Sequence, residues 1–215
     1  MNRISFLAAV VCVFLLQSIA LSQSQDLPKF ELAGEFTTIE RGNFSGSVTD
    51  PGIGGRFTYN LNKVFSLEAA GYFFPKGCLD CQRNGRVTEV LGGVKIGKRF
   101  ENWGIFGKAR PGVVSFSEGD FEIVPTGGSG VLPFRFETNA LNGFATDFGG
   151  VLEFYPSKRI VTRFDAGDTM IYFPSRRRNF LQNDPTTGGL ILVPFTIRAR
   201  TIHHFQFMTS IGFRF

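Results

Sequence analysis

The stretch Thr201–Phe215 alternates between two kinds of side chain with the period of a β-strand. Successive side chains of a strand point to opposite faces, so one face of this strand is almost wholly apolar and the other is polar. In water, a bare strand face of this kind aggregates. The pattern therefore favours a strand whose apolar face contacts lipid, and that face carries Phe205, Phe207, Thr209, Ile211, Phe213 and Phe215.

The start of the chain has the pattern of a secretory signal peptide. Asn2 and Arg3 form a short basic region, and Ile4–Leu16 forms an apolar core too short for a comfortable membrane anchor. Small residues for cleavage follow at Ser18–Ala20 or Ala20–Ser22. We therefore expect a signal peptide at residues 1–22 and one exported domain at residues 23–215.

Seven further segments show the same alternation, which together with the C-terminal strand predicts eight strands. The predicted strands are Lys29–Ile39, Gly52–Leu61, Phe65–Phe74, Val87–Phe100, Trp103–Phe116, Phe134–Tyr155, Arg159–Phe173 and Thr201–Phe215. Each run is about as long as a membrane-spanning strand, which needs roughly 9–11 residues. The fold class is therefore all-β. Because lipid offers no hydrogen-bond partners, the sheet is expected to close on itself.

The connections between these strands alternate between long and short. The short ones are Asn60–Lys63, Glu101–Asn102 and Pro156–Lys158; the long ones are Arg41–Pro51, Pro75–Arg86, Ser117–Pro133 and Pro174–Arg200. This asymmetry is typical of an antiparallel up-and-down transmembrane barrel with tight periplasmic turns, long outer loops and both termini in the periplasm. We also expect a β-bulge at Gly167–Asp168, and at Pro111–Gly112 either a β-bulge or a departure from the regular ladder, because the alternation is interrupted at both places.

The C-terminal strand resembles the closing strand of small eight-stranded outer-membrane barrels, the group that contains the OmpA transmembrane domain and OmpX. Val90–Arg110 and Asn142–Thr169 are similar to uncharacterised outer-membrane barrel proteins of environmental Gram-negative bacteria. The resemblance implies a monomeric barrel in the outer membrane, delivered by periplasmic chaperones and the barrel assembly machinery. It also implies an assembly signal formed by Phe205, Phe207, Ile211, Phe213 and Phe215.

The inward faces of the predicted strands carry nearly balanced charges. The acids are Glu31, Glu35, Glu68, Glu89, Asp147, Glu153 and Asp165; the bases are Arg56, Lys95, Lys108, Arg110, Arg163 and Arg214. An eight-stranded barrel is only wide enough to be filled by side chains, so these charges must pair. We expect a structural ion-pair network in which removing Glu89 or Arg163 leaves a partner unpaired. The alternatives are a narrow ion-conducting pore and a small ligand-binding barrel.

Two pairs of residues raise the question of catalysis or metal binding. His203-His204 lacks the serine two residues on that a barrel deacylase carries, and Ser210 lies roughly 20 Å further along the strand at ~3.3 Å per residue. A nucleophile and its base must be within hydrogen-bond reach, so we expect no catalytic residues and no cofactor. A lipid-modifying enzyme is the weakest alternative.

The cysteines Cys78 and Cys81 share one exported loop, which favours a disulfide over a metal site. No metal is expected. The net charge of +5 is too weak a bias to indicate nucleic-acid binding.

A cluster of arginines is expected at the outer rim of the barrel. Arg forms bidentate hydrogen bonds with phosphate, and lipopolysaccharide presents phosphates at that level. The expected lipopolysaccharide contacts are Arg176, Arg177, Arg178, Arg198 and Arg200; a solvated charged rim is the alternative. The sequence thus predicts an integral outer-membrane barrel with a structural or surface-interaction role in adhesion or envelope integrity.

Overall fold

A computed structural model describes residues 27–43, 46–75, 85–125, 134–186 and 188–215. The described residues form strands and connections, and they contain no helix that is long and apolar enough to cross a membrane. The strands are β1 Phe30–Asn43, β2 Gly46–Asn60, β3 Phe65–Phe74, β4 Val87–Arg99, β5 Trp103–Pro125, β6 Phe134–Phe154, β7 Ile160–Phe173, β8 Arg176–Asn183, β9 Leu190–Ile197 and β10 Arg200–Arg214.

Eight of these strands close into an antiparallel barrel in the order β1-β10-β7-β6-β5-β4-β3-β2. The predicted eight-stranded barrel is therefore confirmed. The last strand pairs with both β1 and β7, and its register against β1 runs from Glu31↔Arg214 to Ile39↔Gln206. The seam ends in two backbone hydrogen bonds of 2.9 Å, in which the amides of Phe30 and Phe215 each donate to the other's carbonyl.

The alternation along each barrel strand decides which residues face out. In β3, every second residue from Ser66 to Phe74 is buried, and the residues between them are exposed. The exposed set is apolar around the barrel, as at Leu32, Ile53 and Ile211, which are 60–64% exposed. A closed sheet with an apolar outer surface satisfies its backbone groups internally and presents hydrocarbon to hydrocarbon, which is what a bilayer requires.

Two outer connections contain more strand than the sequence predicts. The predicted loop at Arg41–Pro51 is mostly a hairpin, in which β1 and β2 remain paired as far as Asn43↔Gly46. The predicted loop at Ser117–Pro133 begins with further strand, since β5 continues to Pro125 and pairs there with Phe134. Over these described residues both loop predictions were wrong, because Gly, Ser, Asn and Asp are typical of loops, whereas strand pairing outside lipid depends on the backbone and tolerates a polar composition. Residues 44–45 and 126–133 lie outside the described residues.

The third outer connection, predicted as a long loop at Pro174–Arg200, contains the β8–β9 hairpin. Its pairing continues the register of the barrel strands beneath it. Phe173 is opposite Arg200, and the next described pair, three residues further along each arm, is Arg176↔Ile197. Thus β7–β8 and β9–β10 are the two arms of one long hairpin, which is interrupted only at residues 174–175 and 198–199. We call its upper part, β8 and β9, the outer hairpin.

The predicted bulges do not occur at their predicted positions. The register of β5 against β6 is regular through Pro111 and Gly112, and it shifts instead between Phe116 and Asp120. The register of β7 is likewise regular through Gly167 and Asp168 on both of its edges. Gly112 is inward, where an added Cβ would lie 2.0 Å from the Val90 carbonyl oxygen. On the β4 side the paired residues pass from Leu91↔Gly112 to Val94↔Ala109 in one register, without Pro111 or Arg110. The Pro-Gly pair therefore marks an interruption of the β4–β5 ladder without a bulge, where the two strands approach closely.

Candidate functional site

The barrel interior is the first candidate site, because the structure places all of the predicted inward charges there. Each of these thirteen side chains belongs to a residue that is at most 6% exposed: Glu31, Glu35, Arg56, Glu68, Glu89, Lys95, Lys108, Arg110, Asp147, Glu153, Arg163, Asp165 and Arg214. We refer to these residues, together with Arg99, as the lumen charge network.

Glu68 on β3 is the hub of this network. Arg163, from the opposite wall on β7, donates to both of its carboxylate oxygens, with the Nη2–Oε2 bond at 3.1 Å. Arg56 and Lys95 each lie 3.6 Å from Oε1, and Arg110 lies 3.8 Å from Oε2. One carboxylate therefore contacts four cations that come from β2, β4, β5 and β7. Such an arrangement ties opposite walls of the barrel together across its axis.

A second set of ion pairs lies on the outer side of Glu68. Lys108 is shared between two acids, at 2.9 Å from the Asp147 Oδ2 and 3.2 Å from the Asp165 Oδ2. Arg110 donates to Asp147 from Nε at 2.9 Å, and Arg163 donates to Asp165 from Nη2 at 2.7 Å. Every carboxylate in this set thus has two cationic neighbours, as buried charges require.

Arg99 was not predicted as a lumen residue, yet it completes the network at the periplasmic end. Its Nη2 lies 3.6 Å from Glu31 and 3.5 Å from Glu153, and its Nε donates to the Tyr155 hydroxyl at 2.9 Å. With Arg99 the network contains seven cations and seven acids. Arg99 has the same place in the alternation of β4 as the inward Lys95, and this pattern could have predicted that it faces the lumen. Its position beside the turn that follows β4 favoured an interpretation as a rim residue.

Glu89 is the exception in the network. Its Oε2 accepts a hydrogen bond of 3.2 Å from Gln206, whereas its Oε1 has no partner among the described residues. None of the ion pairs found among the described residues includes Glu89, in contrast to Glu68. The expectation that removing Glu89 would leave a cation unpaired is therefore wrong, while the same expectation for Arg163 agrees with its contacts.

The interior also contains an apolar cluster, which adjoins Glu89 and continues toward the outer ends of the strands. The sequence did not indicate this cluster as a separate feature. Its members are Ile39, Ala70, Tyr72, Phe74, Val87, Leu91, Val114, Leu141, Ala145, Ile171, Phe173 and Met208. Phe74 and Ile171 are fully buried. The interior is thus filled by ion pairs and by apolar side chains that adjoin them.

Beyond the barrel, the outer hairpin is attached to β5 by an ion-pair clamp on Asp120. Arg176 Nε donates to its Oδ1 at 3.1 Å, and Arg178 Nη2 donates to its Oδ2. Burial of Asp120 acts to raise its pKa, but the hydrogen bonds and charges of Arg178 and Arg176 outweigh burial and hold that pKa below its ordinary value. The register shift before Asp120 adds two residues to β5 relative to β6, so Asp120 keeps the alternation phase of Arg110 and Val114.

The five predicted lipopolysaccharide-binding arginines therefore fall into different environments. Arg176 and Arg178 hold Asp120. The Arg200 guanidinium lies 5.8 Å from the centre of the Phe173 ring. Arg177 and Arg198 are exposed, and no ion pair to either is found among the described residues. These two have the most freedom to meet a phosphate.

The outer hairpin and the extension of β5 and β6 expose aromatic side chains beyond the barrel. Phe180 and Phe195 are 46% and 56% exposed and pack edge to face at 5.4 Å between ring centroids. Phe121 and Phe136 are 53% and 57% exposed and stack at 5.4 Å. Because β8 adds about 25 Å of strand beyond the barrel at ~3.3 Å per residue, lipid does not account for the exposure of the first pair.

The two histidines lie on opposite faces of β10. His204 is inward and 5% exposed, and its Nδ1 hydrogen-bonds to the Glu40 carbonyl oxygen at 2.8 Å. His203 is outward, with Nδ1 2.6 Å from the Asp168 carboxylate. Ser210 is inside the barrel, where it accepts a hydrogen bond from Arg56. The His203–Asp168 pair therefore has no serine within hydrogen-bond reach in the described part of the chain, and Asp168 lies outside the lumen.

Two further predictions concern the disulfide and the signal peptide, and a third concerns metal binding. Cys78, Cys81 and the signal peptide at residues 1–22 lie outside the described residues. Within the described ranges, no group of three or more His, Cys, Asp and Glu side chains is placed to hold a metal ion.

No known family model matches the chain, and no curated protein matches its sequence. Its fold is similar to the crystal structure of Neisserial surface protein A, with a TM-score of 0.51 and 11% identity, over 87% of this chain and 97% of that one. The crystal structure of the attachment invasion locus protein Ail of Yersinia pestis gives a TM-score of 0.47 and 14% identity, over 86% of this chain and 97% of that one. The outer membrane protein OprG of Pseudomonas aeruginosa gives a TM-score of 0.43 and 12% identity, over 86% of this chain and 95% of that one. The chain has the fold of the small eight-stranded barrels of bacterial outer membranes.

Proposed function

We propose that this outer-membrane barrel is a non-catalytic surface-interaction protein, whose filled barrel holds external hairpins for contact with another protein. The observation that carries the proposal is the combination of a filled lumen with exposed aromatic side chains beyond the membrane. The lumen charge network and the apolar cluster that adjoins it together fill the interior, so a hydrated ion would have to displace buried side chains of both. A conducting role is therefore the weaker alternative.

The composition of the external surface favours a protein partner. Phe180 and Phe195 expose about half of their surface on the outer hairpin, and Arg177 is exposed on the same hairpin. Aromatic residues and arginine are enriched in protein–protein interfaces and among the residues that dominate binding energy. Exposed apolar surface outside the membrane commonly marks such a site. The Asp120 clamp supports this role, because it restrains the hairpin and lowers the entropy lost on binding.

Two measurements test the proposal. Purified wild-type barrel in a planar lipid bilayer is expected to give no stepwise conductance; regular single-channel steps would contradict the closed-lumen part. Cells displaying the wild type are expected to adhere to protein-coated surfaces several-fold better than cells displaying Phe180→Ser/Phe195→Ser. The matched control is Phe154→Ser, which changes one exposed ring at the periplasmic end of β6. Equal adhesion by wild type and the double variant would contradict the interaction surface.

We also propose that Arg177 and Arg198 contact lipopolysaccharide phosphates, since both are exposed beside the outer end of the barrel. Arg177→Gln/Arg198→Gln should weaken co-purification of lipopolysaccharide, most at low salt, where charge attraction is least screened. Arg159→Gln, beside the periplasmic turn before β7, is the control. If the double variant retains as much lipopolysaccharide as the wild type at every salt concentration, the arginines contact solvent only and the proposal is contradicted.

A further inference from the structure

The periplasmic end of the barrel carries positive charge that its own acids do not balance. Among the described residues of this end, the exposed cations are Lys29, Lys98, Lys158 and Arg159, and the one exposed acid is Glu101. No ion pair to any of these four cations is found within the described part of the chain. The lumen charge network contains equal numbers of cations and acids, so its acids are already balanced from within. An excess of positive charge therefore faces the periplasm.

Arg159 also lies directly opposite another arginine. The register of β10 against β7 continues one position past its last ladder pair, where the Arg214 amide donates to the Arg159 carbonyl at 2.8 Å. Arg214 lies 3.4 Å from Glu31, but this acid is shared with Arg56 and Arg99. Like charges directly opposite each other destabilise a sheet, and an anion bound beside them would offset that cost.

The alternation shows which of the exposed cations border the lumen. Lys29 and Arg159 precede the buried, inward residues Glu31 and Val161 by two positions each. Both side chains therefore have the inward phase, and they are exposed because they lie at the end of the barrel. We call Lys29, Arg159 and the neighbouring Arg214 the periplasmic mouth.

The backbone fixes the exposed cations of the periplasmic mouth in place. In the turn before β7, the Ser157 Oγ accepts from the amides of Arg159 and Ile160 at 3.3 and 3.1 Å. At the start of β1, the Lys29 carbonyl accepts from the Asn60 amide at 2.8 Å. These two cations thus stand on restrained backbone, which lowers the entropy lost when they bind a ligand.

The position and composition of the periplasmic mouth indicate what it binds. Phospholipid phosphates surround the outward wall, whereas Lys29 and Arg159 border the lumen. The described turns at this end are polar apart from Leu61 and Pro156, and a folded protein partner would need an apolar centre. A flexible ligand bound through charge fits better. The cell wall of the periplasm carries short peptides with several carboxylates, which arginine binds through paired hydrogen bonds.

From these features we propose that the periplasmic mouth binds acidic peptides of the cell wall, with Arg159 and Lys29 as the contacts for their carboxylates. Such binding would attach the barrel to the wall from the periplasmic side. The site is at the opposite end of the barrel from the outer hairpin and does not depend on the proposed surface interaction.

The chain offers a matched pair of variants that test this site. Arg159→Gln removes one exposed arginine from the periplasmic mouth. Arg86→Gln is the control, because Arg86 is exposed at the outer end of β4 and no ion pair to it is found among the described residues. Folded barrels in detergent are mixed with purified peptidoglycan sacculi and sedimented, and the bound fraction is measured over a series of salt concentrations.

We expect Arg159→Gln to bind sacculi about fivefold more weakly than the wild type at low salt, where charge attraction is least screened. Lys29→Gln/Arg159→Gln should bind more weakly still, and Arg86→Gln should bind like the wild type. The thermal midpoint of Arg159→Gln should be unchanged or higher, because the variant removes one of two opposed like charges. Equal binding by Arg159→Gln and Arg86→Gln would overturn the site.

Two further arms identify the ligand. Sacculi whose carboxylates have been converted to amides should no longer retain the wild type, and full retention would overturn the acidic peptide as ligand. Native mass spectrometry of barrels in phosphatidylglycerol nanodiscs tests the lipid source. If Arg159→Gln loses phosphatidylglycerol but keeps wild-type binding to sacculi, the ligand is a lipid phosphate and the proposal is wrong. None of these failures would bear on conductance or adhesion.

Discussion

Glu68 provides the sharpest test of the idea that the interior of the barrel is held together by its charges. Glu68→Gln keeps the shape of the side chain but removes the charge that four cations share: Arg56, Lys95, Arg110 and Arg163. Arg56 keeps its own pair with Glu35, but the remaining acids of Lys95, Arg110 and Arg163 are already shared with other cations. The variant therefore leaves positive charge buried without compensation and should destabilise the barrel.

The magnitude follows from the burial of these groups, since the side chains of Glu68, Arg56 and Lys95 are 0% exposed. Removing one partner of a buried ion pair costs about 3–5 kcal/mol. In a chain of this size, each kcal/mol shifts the thermal midpoint by about 2–4 °C, so the expected loss is roughly 6–20 °C. The midpoint is measured in detergent by heating samples stepwise and following the folded band, which migrates faster than the unfolded band on a gel.

Glu89→Gln is the matched control, because it also neutralises a buried inward glutamate. Glu89 accepts only from Gln206, and its Oε1 has no partner among the described residues. Its neutralisation should leave the thermal midpoint unchanged or raise it. Two results would refute the reasoning: a wild-type midpoint for Glu68→Gln, or an equal loss for both variants. If Glu68→Gln fails to fold, adding Arg163→Met should restore part of the folded fraction, because it removes one of the uncompensated cations.

Three further predictions follow from other parts of the structure. Ile211→Lys should impair folding more than Gln206→Lys, because Ile211 is on the lipid-facing surface and 64% exposed, where a cation costs about 2–4 kcal/mol at the midplane. Gln206 lies inside the barrel, beside Glu89. Refolding yields in lipid vesicles compare the two variants, and equal yields would contradict the assigned faces. Deleting Phe215 should leave folding in detergent intact but reduce the folded protein in the outer-membrane fraction; full delivery would remove its role as an assembly signal. The clamp on Asp120 should stabilise the outer hairpin above the ordinary aspartate pKa and be lost as pH falls through its lowered pKa, below about 4. Spin-label distances from the hairpin tip to a periplasmic turn should then broaden, and Asp120→Asn should broaden them already at pH 7; sharp distances in that variant would show that the clamp does not hold the hairpin.

The barrel could be predicted from the sequence because its main constraint is local. Contact with lipid on one face and with the interior on the other requires alternation along every spanning strand, as in Phe65–Phe74. Outside the bilayer that constraint ends, so no alternation pattern predicted the extensions of the strands to Asn43 and Pro125. The seven predicted acids could be assigned to the interior by the same alternation.

The partners within the interior could not be predicted in this way. Glu68 and Arg163 are 95 residues apart in the chain, and only the closure of the barrel brings them together across its axis. Arg99 shares the phase of Lys95 but lies beside a turn, where phase alone does not distinguish lumen from rim. Asp120 and Arg176 are 56 residues apart in the chain, so alternation along one strand cannot reveal their clamp.

The single register shared by the barrel strands and the outer hairpin makes this hairpin adjustable in discrete steps. Adding two residues to each arm above Phe173 and Arg200 would raise the tip by about 7 Å along the strands and keep every side chain on its present face. Adding one residue to a single arm would turn that arm over, so that Arg178 would face away from Asp120. Foreign peptide epitopes could therefore be grafted beyond Asn183 and Leu190 at chosen heights above the cell surface, while the barrel beneath them keeps its pairing.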